Sequence, residues 1–274
     1  MNPSDATVFE ITGLSYHYGK VPALNDLSLK IEHGERIALL GANGSGKSTL
    51  LHILDALAFG EKGEVKFRGA ALTPQGMDDE SFAYDFRRRV GMVFQNPDVQ
   101  LFNPTVFDEV AFGPLQMGWT HDKVNEAATR ALEGMEIAHL RDRAPHHLSG
   151  GEKKRVAIAS VLVLDPEVVL LDEPTVTLDP KSQSQVIDLL VGWKSGAKTV
   201  ITATHQLELV DAIADKCFIM QKGQIVATGT PAEILSDGDL LLRTNLVHSH
   251  RHTHDGVTHS HPHIHGTGGH SHTH

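Results

Sequence analysis

The sequence predicts an α/β fold built around a largely parallel sheet, and two observations carry that reading. Residues 37–40, 168–171 and 199–204 are short apolar or β-branched runs, each ending at polar or glycine residues, as fully buried strands do. Stretches of helical period alternate with them, the order in which parallel sheets are assembled. Two other parts depart from this core pattern. Leu27, Leu29 and Ile31 alternate with polar residues, as do Val65 and Phe67, which predicts half-exposed antiparallel strands. From Pro97 to Asp165 the punctuation lengthens into helices.

Taken in order, the antiparallel part comes first, then the strand at 37–40, and then a helical subdomain over about 97–165. Within that subdomain residues 121–135 read as a helix, with Thr120 as its N-cap and Asp122 in the first turn. The strands at 168–171 and 199–204 return the chain to the core sheet. The ordered domain spans 1–246. After Leu246 the composition breaks into His, Ser, Thr, Gly and Pro with no periodic apolar residues, so 247–274 is expected to be a tail that is disordered without a ligand.

Composition bounds the function. The 274 residues suffice for a full core, and the formal net charge of -10, from 24 Lys+Arg against 34 Asp+Glu, argues against a nucleic-acid partner. The longest apolar run, 156–164, stops at Asp165 and Pro166, well short of the ~18 residues a membrane span needs. Residues 1–5 have neither the positive start nor the apolar stretch of a signal peptide, and the single Cys217 permits no internal disulfide. A cytosolic setting is expected.

Gly41, Ala42, Asn43, Gly44, Ser45, Gly46, Lys47, Ser48 and Thr49 fit the phosphate-loop pattern, between a strand and a helix as the pattern requires. Its glycines let backbone N–H groups curl around a β-phosphate. Lys47 reaches the β- and γ-phosphates, and Ser48 offers its hydroxyl to Mg²⁺. The strand at 168–171 delivers Asp172 and Glu173 to the same sheet edge. Adjacent strand residues point apart, so the two have separate jobs: Asp172 is suited to hold Mg²⁺, and Glu173 to orient and deprotonate an attacking water. Leu148, Ser149, Gly150, Gly151 and Glu152 run into Lys153, Lys154 and Arg155, setting a hydroxyl and unobstructed N–H groups at a helix N-terminus where anions are favoured.

With these motifs in order, the chain resembles the ATP-binding cassette family over about residues 7–235, a resemblance that implies a P-loop NTPase fold binding ATP and Mg²⁺. It implies that Tyr18 stacks on adenine, with Tyr16 as the rival, and that Gln95 senses Mg²⁺ and the attacking water. It also implies that His205 contacts the γ-phosphate and that Asp179 lies in the loop that communicates across a dimer. Three positions depart from the usual family pattern: Glu152 where glutamine is common, Val176 with Thr177 where small residues are usual, and Gln206 where an acid usually follows the histidine. In this family the helix start of one subunit closes over the phosphate loop of another. Ser149, Gly150, Gly151 and Asp179 therefore serve the ATP of a paired ATPase subunit, a second copy or a relative.

Three classes of machine compete for that motor. Chromosome and repair ATPases insert long coiled coils between the two halves of the site, whereas only about 100 residues separate Lys47 from Ser149. A soluble ATPase of iron–sulfur cluster assembly is the alternative. Residues 95–114 resemble the energy-coupling-factor importers, most closely their cobalt and nickel group. That resemblance implies integral membrane coupling and substrate-binding subunits, and a peripheral position on the cytoplasmic face of the membrane. The tail bears on the cargo. Of 19 histidines, 11 fall in it: His248, His250, His252, His254, His259, His261, His263, His265, His270, His272 and His274. Alternate residues of an extended chain share a side, so neighbouring imidazoles can chelate one Ni²⁺, Co²⁺ or Zn²⁺ ion. Purification tags are usually unbroken runs, and this tract is interleaved with Ser, Thr, Gly, Pro, Arg251 and Asp255.

Overall fold

The computed structural model describes residues 7–193, 198–254 and 257–263. Strand β1 (Thr7–Tyr18) pairs antiparallel with β2 (Val21–Glu32) and with β4 (Lys62–Phe67), and β5 (Ala70–Ala71) completes a sheet of order β2-β1-β4-β5. The alternation seen in the sequence is its register: Phe9 sits opposite Ile31 on one side and Phe67 on the other, and Ile11 opposite Leu29 and Val65. All six are buried, so one face of this sheet packs inward.

The core sheet has the order β10-β9-β3-β8-β7-β6. Its centre is β3 (Arg36–Leu40), β8 (Thr199–Thr204) and β7 (Val168–Asp172), in which every residue is buried. Burial on both faces is why these strands read as continuous apolar runs. They pair parallel with one another, β6 (Val90–Val93) adds parallel to β7, and β9 (Lys216–Gln221) adds parallel to β3. The edge strand β10 (Gln224–Gly229) alone runs antiparallel, in a hairpin with β9 that the sequence reading does not foresee. Around the sheets lie α1 (Lys47–Leu54), α2 (Pro74–Met77), α3 (Glu80–Arg89), α7 (Pro180–Gly192), α8 (Leu207–Ile213), α9 (Pro231–Ser236) and α10 (Gly238–Arg243).

The helical part consists of α4 (Val106–Gln116), α5 (His121–Gly134) and α6 (Gly150–Leu162), closed on a separate core that includes Val106, Val110, Val124, Ala128, Leu132 and Val156. Thr105 caps α4 by accepting from the Asp108 N–H at 3.1 Å, whereas Thr120 occupies the N-cap of α5 without a side-chain hydrogen bond. Buried Glu109 accepts from the backbone N–H groups of Phe102 and Asn103, both at 2.8 Å, and so fixes the loop ahead of its own helix.

Leu246 and Val247 are both buried in the core, so the packed domain reaches one residue past the expected boundary. Beyond it, β11 (His248–His254) and β12 (Val257–His263) pair as an antiparallel hairpin in a sheet of their own. Over 248–254 and 257–263 this differs from the disorder expected of the tail. Strict alternation with β-branched Thr253, Val257 and Thr258 suits a ladder that needs no apolar core to satisfy its own backbone. Residues 264–274 lie outside the described ones.

Candidate active site

The phosphate loop leaves the carboxyl end of β3 and turns into α1. Gly44 and Gly46 take φ of 78° and 107°, and a Cβ on Gly46 would meet the Ala23 carbonyl oxygen at 2.6 Å, so only glycine fits there. The turn leaves the first N–H groups of α1 facing the loop's interior, a ready anion site. Lys47 is buried, and its Nζ donates to the Gly41 carbonyl oxygen at 2.7 Å. Burial pushes its ammonium below the usual lysine range, opposed by the nearby charges of Glu173 and Asp172.

Strand β7 ends at Asp172, and the chain turns sharply at Glu173, whose φ is +44°. That turn sends the two carboxylates to different tasks. Asp172 is raised above the usual carboxylate range, first by burial, with the Ser48 hydroxyl acting the other way. Glu173 Oε1 lies 2.9 Å from His205 Nδ1 and 3.8 Å from Lys47 Nζ. Asp172 Oδ1 and Glu173 Oε2 are buried and have no hydrogen-bond partner among the described residues. Buried polar atoms left open in this way are positioned for a ligand, a cation or a water.

A cavity of about 460 Å³ collects Tyr18, Asn43, Gly44, Ser45, Gly46, Lys47, Ser48, Thr49, Gln95 and Glu173 in one wall with Val21, Pro22 and Ala23. Tyr18 is 53% exposed at its rim, while Tyr16 packs against the core and meets Tyr18 edge-on at 5.1 Å. The structure therefore favours Tyr18 over its rival as the aromatic at the cavity. Gly41, Asp172 and His205 stand outside the wall itself.

Ser149, Gly150, Gly151 and Asp179 do not line this cavity. Ser149 begins α6 in a reciprocal capping box: its hydroxyl accepts from the Glu152 N–H at 3.3 Å, and Glu152 Oε2 accepts from the Ser149 N–H at 2.8 Å. That backbone hydrogen bond holds Glu152 below the usual carboxylate range. Asp179 caps α7 through the N–H groups of Lys181 and Ser182, and the Ser182 hydroxyl bond holds its carboxylate low. A Cβ on Gly151 would collide with Ser182, whereas one on Gly150 would meet open space.

Sequence reasoning misses two residues that shape the site. Lys154 is 1% exposed and donates to the carbonyl oxygens of Phe94 at 2.9 Å and Gln95 at 2.7 Å. Gln100 accepts from the Phe94 N–H and donates to the Ala157 carbonyl oxygen at 3.0 Å. A signal for the first was present: Lys154 falls on the same helical stripe as Gly151, Ala157 and Ile158, all buried. In the tail, the backbone register sets His248 opposite His263, His250 opposite His261 and His252 opposite His259. His265, His270, His272 and His274 lie outside the described residues.

Comparison with known proteins bears on this geometry. The family described as ABC transporter matches residues 24–176. A nickel import ATP-binding protein of Rhodobacter capsulatus is 50% identical over 242 residues, covering 87% of this chain and 95% of its own. An energy-coupling factor transporter ATP-binding protein of Methanothermobacter thermautotrophicus is 42% identical over 240 residues, covering 87% and 76%. Among solved structures, CbiO1 of Clostridium perfringens, part of an ABC transporter complex, has a TM-score of 0.74 at 35% identity, with 88% of this chain and 95% of that one covered. A dimeric ATP-binding cassette in a post-hydrolysis state with ADP and Pi has a TM-score of 0.73 at 26% identity, covering 81% and 98%.

Proposed function

The chain belongs to the ABC transporter family, and from that premise we propose that it is the ATPase subunit of a divalent-metal importer. Nickel stands ahead of cobalt as its cargo. It works as a head-to-tail dimer, peripheral to the cytoplasmic face of the membrane. Hydrolysis of ATP coupled to transport is the family's activity. What carries the dimer is the separation of two half-sites: the cavity around Lys47 and Glu173 contains none of Ser149, Gly150, Gly151 or Asp179. One chain holds half of each of two sites, and a second copy completes both.

In this reading Tyr18 stacks on adenine, the loop from Gly41 to Thr49 wraps the phosphates, and Lys47 leaves its carbonyl partner for the γ-phosphate. Glu173 takes the proton of the attacking water, with His205 at 2.9 Å orienting the carboxylate. The open Asp172 oxygen beside the Ser48 hydroxyl, with Gln95 on the same cavity, fits Mg²⁺ as an all-oxygen set. When bound, that ion neutralises charge on the β- and γ-phosphates. Its ligands here would be Ser48, Gln95 and Asp172. ATP binding closes the pair and hydrolysis reopens it, an equilibrium a membrane partner converts to motion.

The partner surface is carried by exposed apolar residues just past Gln95: Val99, Phe102, Phe112 and Leu115, with Phe102 68% exposed and set edge-on to Phe112 at 5.1 Å. Val106 and Val110 belong instead to the helical core, and no helix among the described residues is long and apolar enough to cross a membrane itself. The nickel assignment draws on the nickel-import relative and on the histidine tract, which would bind metal through neighbouring imidazoles. Three of the comparison proteins have a stated role in transport, which favours an importer over iron–sulfur assembly. Purified from membranes under mild detergent, the chain should bring integral membrane proteins with it, and the reconstituted complex should take up Ni²⁺ only with ATP. Recovery as a soluble protein bound to soluble partners alone would overturn the proposal.

A further inference from the structure

The loop carrying Gln95 is fastened to α6, the helix whose first turn carries Ser149. Lys154 donates from α6 to two consecutive carbonyl oxygens, those of Phe94 and Gln95. Gln100 bridges the Phe94 N–H to the Ala157 carbonyl oxygen and the Ser160 hydroxyl, both also in α6. At the surface Lys153 pairs with Asp98 at 2.7 Å. The first of these fastenings is the costly one. A lysine that is 1% exposed has given up nearly all its water, and burial pushes its ammonium down to about 8, opposed by the nearby charges of Asp172 and Glu173. A fully buried lysine is rare on a helix face unless its donors are matched, and here the match is to the peptide carbonyls on either side of Gln95.

We infer that Lys154 is a positioning residue for ATP hydrolysis: it holds the backbone of Gln95 against α6, so that Gln95 in the chain's own cavity and Ser149 at the neighbour's move as one body. The inference rests on the reading of Gln95 as the residue that senses Mg²⁺ and the attacking water. Lys154 lines no part of the cavity, and its two hydrogen bonds go to backbone carbonyls outside the phosphate loop. Its loss therefore acts on turnover rather than on capture of ATP. A membrane partner seated on Phe102 and Phe112 would act on the same loop that Lys154 restrains.

The test uses the full chain with Mg²⁺ and ATP, measuring kcat, KM, ATP affinity and thermal midpoint for wild type and for Lys154→Met, Lys154→Arg and Gln95→Ala. Lys154→Met is expected to lower kcat about tenfold or more while ATP affinity stays within about twofold. Lys154→Arg, which keeps a cationic donor, is expected to recover much of that loss, a rescue that simple helix packing would not produce. Gln95→Ala is expected to match the kcat defect of Lys154→Met. A normal kcat in Lys154→Met, with Gln95→Ala impaired, overturns the inference and leaves the reading of Gln95 intact. A normal kcat in Gln95→Ala removes that reading and the inference with it. If Lys154→Met loses ATP affinity and thermal stability in step with turnover, and Lys154→Arg restores none of them, Lys154 is structural and the inference fails.

Discussion

His205 Nδ1 stands 2.9 Å from Glu173 Oε1, at the carboxyl edge of two neighbouring parallel strands. The imidazole fixes one carboxylate oxygen and leaves the other, Oε2, buried and open. In the role proposed for Glu173, a base held in this way would face its water with one free oxygen. Glu173→Gln keeps shape and hydrogen bonding and removes the basicity. Turnover should fall on the order of 10²-fold or more while ATP binding is retained. Phosphate release and equilibrium ATP binding, measured side by side, check this, and near-normal hydrolysis would sink the role given to Glu173.

Under the proposed dimer, Gly150 and Gly151 separate what a chain needs for itself from what its neighbour needs. A methyl on Gly150 enters open space within its own chain, and in the first turn of α6 alanine should stabilise the fold by about 0.4–1 kcal/mol. Against a neighbour's ATP the same methyl should cut turnover on the order of 10²-fold. Gly151→Ala instead collides with Ser182 and should destabilise the chain by about 1–3 kcal/mol. Thermal unfolding and ATPase rate for the two variants decide it, and a fully active Gly150→Ala would remove the trans site from this glycine.

At the end of α1, burial pushes the Asp55 carboxyl up to about 8, and the Arg87 guanidinium offsets only part of this. A carboxylate at a helix C-terminus also faces the negative end of the dipole. Because the folded value is raised, the folded chain holds a proton that the unfolded chain releases above about 3.8. The stability this contributes is full below that pH and is lost as pH rises to about 8. Asp55→Asn keeps the neutral form throughout. Its thermal midpoint should gain on wild type steadily from pH 4 to pH 8 and level off above, and a difference that stays flat across that range would refute the assignment.

The tail prediction concerns metal. A chain cut after Val247 keeps that buried side chain and removes all 11 tail histidines. Equilibrium dialysis against Ni²⁺, Co²⁺ and Zn²⁺ should show metal bound by the full chain and lost from the cut one, with ATPase activity of the two compared in the same preparations. Equal metal binding by both forms would end the proposal.

For the partner surface, Phe102→Asp with Phe112→Asp should leave ATP affinity unchanged and abolish recovery with membrane subunits. Both rings are exposed, at 68% and 38%, so the fold has little reason to resist the change. Unaltered co-purification would move the interface elsewhere.

Much of this molecule was legible in its sequence because its signals are local. The phosphate loop is one continuous segment, and strands buried on both faces write themselves as apolar runs, as at Ile37 and Val168. The alternation of Leu27, Leu29 and Ile31 became one inward face of a sheet. What stayed hidden depends on contacts between distant segments. Lys154 looks like one of three consecutive basic residues until its carbonyl partners, about 60 positions away in sequence, are seen. Glu109 resembles any helix-start acid, although it is buried and binds the loop before it. The preference for Tyr18 over Tyr16 rested on resemblance alone until the cavity showed which of them lines its wall. The edge hairpin of β9 and β10 and the packing of Val247 likewise arise from tertiary neighbours.

The turn at Glu173 carries one more consequence. Its φ of +44° is a conformation that glycine or asparagine adopts readily and that a long side chain resists, at about 1–3 kcal/mol. The chain therefore carries a fault line at the carboxylate proposed for its chemistry. Gly or Asn at 173 would relax the backbone and remove the carboxylate, and Asp would draw it back by one methylene, so a variant chosen only for heat resistance would drift toward a sturdier fold with an idle motor.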